Sequence, residues 1–481
     1  VIVLAQNYIL LERIELAADA ASVTFSNIPQ SGYTDLKVVT SLRGTVNLGS
    51  GYVDGILTFN GTTTGYSERM VYGLNGSAGS ANQSSTGIKW GNWANDTSTT
   101  ANTFANSETY ISNYTSSNFK SVSVDGVQEN NASGSAIATL NAALWSNTAA
   151  ITSITLTAGS GSFATNSTFS IYGLAAVGTT PVIAPKATGG NIQTDGTYWY
   201  HTFLASGTFT PATALSCDYL AVAGGGGGSS GGGGGGAGGL FSTITATGGG
   251  GTLPSQLTLA NGTAYTIAIG AGAAAVTGSY IKGLTGGNTT ISGSGLSTIT
   301  AYGGGGGGGA QDGEDARRGQ PGGSGGGGGY NASAGQGAGG AATPAGQGFA
   351  GGSVVSTQGS GAFLYAAGGG GAGVAATNVI TSSSNSTSGG NGVQLTAWAN
   401  ATGTGANSGY YAGGGGGGRA GSGTAMGGAG GSGGGGAGYQ DQAINGTSNT
   451  GGGGGGNGGQ SGSTTGGAGG SGIVIIRYLI A

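Results

Sequence analysis

Apolar positions in the first 178 residues come in short bursts rather than at helical spacing. VTFSNI, LKVVTSL, GILTFNG, RMVYGL, TYISNY, KSVSVDGV, ITSITLTAG and FSIYGL are brief β-branched or aromatic runs. Turn residues separate them at the spacing of a β-sandwich or jelly roll. The opening VIVLAQ is apolar for five residues, lacks an initiator Met and runs directly into NYILLERIEL. A strand is expected there, with a signal remnant or a processed terminus as the other readings. GSAIATLNAALWSNTAA admits a helical turn, or equally a strand followed by a loop.

Beyond Tyr198 the strand pattern continues but is interrupted. YWYHTFLASGTFTP, CDYLAVA, FSTITAT, AYTIAIGAG and NTTISGSGLSTITAYGG read as strands, and SGIVIIRYLIA closes the chain as a strand whose apolar run is buried. Between them stand glycine runs, including Gly224–Gly228, Gly231–Gly236, Gly303–Gly309, Gly325–Gly329, Gly413–Gly418 and Gly451–Gly456. Only 21 of the 117 glycines precede Tyr198, so about a third of residues 198–481 are glycine. The expected organisation is therefore all-β. Residues 1–178 form a jelly-roll-like β-sandwich for assembly, and 179–197, with its GTTPVIAPKATGG, form a linker. Residues 198–481 form a β-anchored glycine-rich domain with display loops.

A single glycine run is most simply a flexible linker. Here the runs are many, aromatics lie between them, and an apolar strand follows the last. A row of linkers leaves that strand without a partner. Collagen is excluded, because no Gly-X-Y period exists and the chain has only 7 prolines. The ordered alternative is polyglycine II, a left-handed helix with three residues per turn and about 3.1 Å rise. It has no internal hydrogen bonds, so its N–H and C=O groups point outward. Without Cβ atoms, neighbouring helices approach on every side and exchange those bonds. Ordering each residue costs roughly 1–2 kcal/mol, against about 0.5–1.5 returned per hydrogen bond, so only a packed bundle is expected to hold.

Charged residues are 6% of the chain and the net charge is −4 with 12 Lys+Arg, which argues against a nucleic-acid partner. No run is long and apolar enough for a membrane span. Cys217 in CDYLAVA reads as a small buried hydrophobe, and His201, the lone histidine, as a structural residue of YWYHTFLA. No His/Cys metal site can be assembled, no cofactor is expected, and the carboxylates Glu12/Glu15 and Asp312/Glu314/Asp315 define no hydrolase by spacing alone. The chain is read as a non-enzyme. If the runs are rods, the segments joining them are loops at the two ends. The candidate contact residues are Asp312, Arg317 and Arg318 of AQDGEDARRGQ, Phe349, Phe363 and Tyr365, Trp398, Tyr410 and Tyr411, and Tyr439. The aromatics either anchor a partner or cap the open edge of the glycine lattice. N-x-[ST] sequons such as Asn60, Asn113, Asn261 and Asn385 are glycosylated only in a host with that machinery.

TFTP…CDYLAVAGGGGGSSGGGGGGAGG…YTIAIGAG…AYGGGGGGG, closing in GGAGGSGIVIIRY, resembles the glycine-rich domain of bacteriophage tail-fibre proteins. The glycine-run segment is also similar to the tip adhesins of T-even-like phage tail fibres, where a sandwich of polyglycine II helices displays host-contacting loops. FSNIPQSGYTDLKVV, FNGTTTGYSERMVYG, ANTFANSETYISNYTSSNFKSVS and LWSNTAAITSITLT resemble a domain common in tailed-phage structural proteins. Together the likenesses imply a virion-surface, extracellular protein: a tail fibre or receptor-binding adhesin. The implied partners are a host surface glycan or outer-membrane protein and other virion proteins. Fibres are commonly trimeric, so a homo-oligomer, first of all a trimer, is expected. A head decoration fibre or extracellular filament subunit is the alternative.

Overall fold

The computed structural model describes residues 8–89, 91–130, 136–175, 185–310, 313–331, 335–355, 364–380, 386–420, 427–440, 442–459 and 464–480. Asp312, Phe363 and the sequon at Asn385 lie outside them, as does the VIVLAQ opening. The chain divides into two units. The first comprises Val1–Pro185, Asn191–Thr197 and Ile480–Ala481, and the second Lys186–Gly190 and Tyr198–Leu479. The segment expected as a linker is thus shared between them.

Among the described residues the first unit has two antiparallel sheets, built from twelve strands and the short strand Asn191–Thr194. The twelve are β1 (Tyr8–Glu15), β2 (Ser22–Phe25), β3 (Tyr33–Leu42), β4 (Tyr52–Phe59), β5 (Tyr66–Leu74), β6 (Ser77–Ser85), β7 (Trp93–Asn95), β8 (Ala105–Ile111), β9 (Lys120–Gln128), β10 (Ile137–Trp145), β11 (Ile154–Ala158) and β12 (Thr168–Ala175). One sheet runs β1-β12-β3-β8-β9-β10-β5-β6, with Asn191–Thr194 beside β1; the other runs β2-β11-β4-β7. Strict alternation along β9, whose residues are buried and exposed in turn from Lys120 to Gln128, is what a half-buried strand requires. IATLNAALW, open between helix and strand by sequence, is strand β10, paired along its whole length with both β5 and β9. Phe25, Leu57, Phe59, Trp145, Ile154 and Phe169 share one core with Leu36, Val38 and Ile111.

Towards β5 and β6 the inner face turns polar. Glu68 is 1% exposed and accepts hydrogen bonds from Gln83 Nε2 (3.1 Å), Ser85 Oγ (3.2 Å), the Lys89 N–H (3.0 Å) and Asn141 Nδ2 (2.7 Å). A buried carboxylate is tolerated only with such a set of donors.

In the second unit the closing strand Ile473–Leu479 lies between Tyr198–Phe203 and Leu215–Val222, antiparallel to both, and Leu240–Ser242 pairs with the latter. Ile473, Val474, Ile475 and Ile476 are fully buried. A second sheet orders Ala187–Thr188, Gly207–Pro211, Tyr265–Ala268, Thr289–Gly293 and Leu296–Ala301. Among the described residues two short α-helices occur, Glu314–Arg317 and Thr396–Thr402. The second falls where the sequence reading placed a loop. Trp398 and Ala399 bury one face of it, and Gly403, at φ 64°, ends it in the left-handed conformation that glycine adopts freely.

The glycine segments leave these strands and hydrogen-bond to one another with a period of three. In Gly232–Gly239 the N–H groups of Gly233, Gly236 and Gly239 donate to the carbonyls of Gly308, Gly305 and Tyr302. Those of Gly234 and Ala237 donate to Ala367 and Gly370, and those of Gly235 and Gly238 to Gly454 and Gly451. The carbonyls face three other segments. Gly233 and Gly236 accept from Ser229 and Gly226, Gly234 and Ala237 from Gly327 and Ser324, and Gly232 and Gly235 from Gly418 and Gly415. This segment is therefore surrounded by six others, the N–H groups of Gly233–Gly239 are all paired, and its residues are buried. Gly224–Ser229 repeats the scheme, donating in threes to Gly287 and Leu284, to Gly470 and Gly467, and to Gly236 and Gly233.

Candidate functional site

Successive glycine segments reverse direction, so the joining turns fall at two ends of the second unit. At the strand end are Val222–Gly224, Gly239–Leu240, Tyr302–Gly303 and Gly472–Ile473. A core packed there holds Tyr200, Leu220, Leu240, Leu395, Trp398, Tyr411 and Ile475. Beside it Arg477 Nε and Nη2 both reach Asp218 Oδ2 at 3.2 Å, and the guanidinium lies 4.1 Å from the Tyr198 ring and 5.0 Å from that of Trp398. Asp218 Oδ1 accepts from Gln256 Nε2 (2.9 Å) and Thr243 Oγ1 (3.0 Å). An ion pair this enclosed is held by geometry and extra hydrogen bonds rather than by charge alone.

His201 belongs to the same end. Its Nδ1 lies 2.7 Å from the Gly189 carbonyl and its Nε2 3.0 Å from the Tyr478 hydroxyl, with the ring fully buried. Burial pulls its pKa down to about 4, against the Gly189 hydrogen bond, so it is a neutral piece of the core. Cys217 is likewise buried, its thiol pushed up to about 12 by desolvation first and Asp218 second.

The far end is assembled by contacts between turns distant in sequence. Ser230 donates its N–H to the Ile281 carbonyl (3.0 Å), and its own carbonyl accepts from Thr464 Oγ1 (2.7 Å). The Gly309 N–H reaches the Ala316 carbonyl, and the Tyr330 hydroxyl donates to Gly458. Arg419 stands 5.6 Å over the Tyr365 ring. This end carries the charges Lys282, Glu314, Asp315, Arg317, Arg318 and Arg419; elsewhere, among the described residues, the second unit has Lys186 and the enclosed Asp218–Arg477 pair. Lys282 Nζ donates to the Asp315 carbonyl (2.9 Å), and burial holds its ammonium below the ordinary value, against the pull of Asp315. Ile281, next to Lys282, is exposed, as are Val355 and Ile380.

The sequence-expected contact residues are split by this arrangement. Arg317, Arg318, Tyr365 and Tyr439 stand at the far end; Phe349, Trp398, Tyr410 and Tyr411 stand at the strand end. Arg318 is exposed and pairs with Glu314 (3.1 Å). Arg317 is buried, with Nε 3.4 Å from the Gln336 carbonyl, and its own carbonyl accepts from Gly329. Tyr365 is buried beside Ala366, Ala367 and Val379. Trp398 and Tyr411 are fully enclosed, Trp398 Nε1 donating to Ser242 Oγ (3.1 Å) and the Tyr411 hydroxyl lying 2.6 Å from Thr404 Oγ1. These buried rings cap and fill the lattice. Phe349, Tyr410 and Tyr439 are half-buried. Lys282 was missed by the sequence reading, although a charge inside a nearly uncharged domain was the available signal.

A family model described as a glycine-rich domain matches residues 203–479, more than half of the chain. The chain belongs to that glycine-rich domain family. No curated protein and no solved structure matches it.

Proposed function

We propose that this chain is a non-enzymatic surface protein of a bacteriophage particle, a tail fibre or receptor-binding adhesin. Its glycine-rich unit then presents the far-end turns to a host surface glycan or outer-membrane protein, while the first unit joins other virion proteins. The observation that carries this reading is the segregation of charge. A lattice of almost uncharged residues gathers Lys282, Glu314, Asp315, Arg318 and Arg419 on the turns of one end, and keeps its remaining ion pair enclosed at the other. Variable contact residues on loops held by a rigid scaffold are how recognition surfaces are built.

Two features of the backbone support the architecture proposed with it. Donors and acceptors that return to the same neighbour every third residue are what polyglycine II requires, and the six-fold surroundings of Gly232–Gly239 suit a packed lattice of such helices. In the first unit the orders β1-β12-β3-β8 and β2-β11-β4-β7 are those of an eight-stranded jelly roll, with β5–β6 and β9–β10 inserted to extend one sheet. Jelly rolls are frequent in viral capsid and lectin domains. A head decoration fibre or filament subunit is the second reading, favoured by the open edge at β6.

The test is competition. Purified chain is added to host cells before the phage, and adsorption is measured. The wild-type chain and a strand-end variant, Tyr410→Ala, are expected to block adsorption, and Lys282→Glu/Arg318→Glu to block it poorly. Equal blocking by all three, or none by any, contradicts host contact through the far end.

A further inference from the structure

We infer that β6 is the seam through which two copies of this chain join, strand to strand and antiparallel. β6 ends its sheet and is 9 residues long. The edges of the facing sheet, β2 and β7, are 4 and 3 residues long. Shortness is one of the ways proteins blunt an open edge, along with charge, proline and bulges. SAGSANQSS has no charge and no proline, and its register with β5 is unbroken from Leu74↔Ser77 to Tyr66↔Ser85.

The turn fixes which groups face outward. Asn75 (φ 50°) and Gly76 (φ 83°) form a two-residue hairpin loop, so Leu74 and Ser77 are the hydrogen-bonded pair that closes it. Bonded pairs then alternate along the ladder. Ser77, Gly79, Ala81, Gln83 and Ser85 bond to β5, while Ala78, Ser80, Asn82 and Ser84 turn their N–H and C=O groups to the open side. Among the described residues no hydrogen bond reaches those four.

The occupant that fits is a second β6. A two-fold axis at Ala81 sets Ser80 opposite Asn82 and Ala78 opposite Ser84, giving about eight backbone hydrogen bonds with no charge facing another. All eight side chains are small or short, so nothing obstructs the approach. The edge is also held in place from behind. Gln83 and Ser85 hydrogen-bond to the buried Glu68, and the Tyr72 ring lies across Gly79, where a Cβ would stand 2.4 Å from its Cζ. A rigid strand loses little freedom on pairing. The inference does not depend on host contact, and it expects a two-fold dimer where fibre-likeness implies a trimer.

The test is the mass of the full chain by light scattering or native mass spectrometry at micromolar concentration. The wild type is expected to be a dimer. Ser80→Pro removes an outward donor from each strand without touching the β5 ladder, and Asn82→Lys places a charge on the edge. Each should weaken the dimer at least about tenfold. Far-UV circular dichroism checks that each variant is folded. A control on the outer face of the sheet, Val71→Ser/Leu140→Ser, should remain dimeric. A monomeric or trimeric wild type overturns the inference. So does a dimer that survives both edge variants, or one dispersed only by the outer-face control.

Discussion

Replacing Gly235 with alanine probes the glycine lattice at its centre. In an open site with compatible backbone, Gly→Ala stabilises a protein by about 0.4–1 kcal/mol, by restricting the unfolded chain. At Gly235 a Cβ would stand 2.1 Å from the Gly226 carbonyl oxygen, 2.6 Å from its carbon and 2.9 Å from the Gly227 carbonyl carbon. These atoms are backbone, so no side chain can swing aside. The neighbouring segment must move by about 1 Å to restore ordinary contact. It is held by the Gly226 N–H to Gly236 and by its carbonyl to Gly454, both at 2.9 Å. Overpacking costs about 1–3 kcal/mol, and two weakened hydrogen bonds add about 0.5–1.5 kcal/mol each, so Gly235→Ala is expected to destabilise the second unit by about 2–6 kcal/mol. The control is Gly207→Ala, whose Cβ would meet only the Phe203 ring at 3.4 Å and 3.5 Å. Differential scanning calorimetry should place the second unit's transition about 4–18 °C lower for Gly235→Ala and within about 3 °C of wild type for Gly207→Ala. Equal transitions for the two variants would refute the lattice.

Acidification should move the two units in opposite directions. His201 is held neutral, its pKa brought down to about 4, so its contribution to the second unit is present above the ordinary value of 6.5 and is lost as pH falls towards 4. Its full size is about 3 kcal/mol. Glu12, half-buried on β1, has its carboxyl pushed up to about 7 by burial, so the first unit is favoured below 4.5 and loses that contribution as pH rises towards 7. Calorimetry from pH 7 to 5 should show the second unit's transition falling, and Glu12→Gln should flatten the pH dependence of the first. Glu68→Gln turns an amide towards the donors of Gln83, Ser85 and Asn141 and is expected to cost the first unit about 2 kcal/mol, read as a lower urea midpoint.

The strands were legible where burial leaves a mark on the side chains. β9 declares itself by strict alternation, and the closing IVIIRYL by an unbroken apolar run buried on both faces. β10 stayed ambiguous because alanine and leucine suit helix and strand alike, and its partners β5 and β9 settled it. Thr396–Thr402 looked like a loop among glycines; burial of Trp398 made it a helix. The neighbour map of the glycine segments was not legible, since residues without side chains carry no mark of their partners. Arg317 shows the same limit at the candidate surface. It shares a charged turn with Arg318, yet only Arg318 faces outward, and its turn meets Lys282 from another one through a backbone carbonyl.

Amide hydrogen exchange over residues 224–239 is the sharpest check on an ordered glycine lattice. The N–H groups of Gly233, Gly234, Gly235 and Gly236 are each paired to another segment and fully buried. They should be protected as strongly as those of the adjoining strand Leu215–Val222, opening only with the unit as a whole. Exchange at the rate of an unstructured peptide, with the strand still protected, would show that the glycine runs are linkers and contradict the packed lattice.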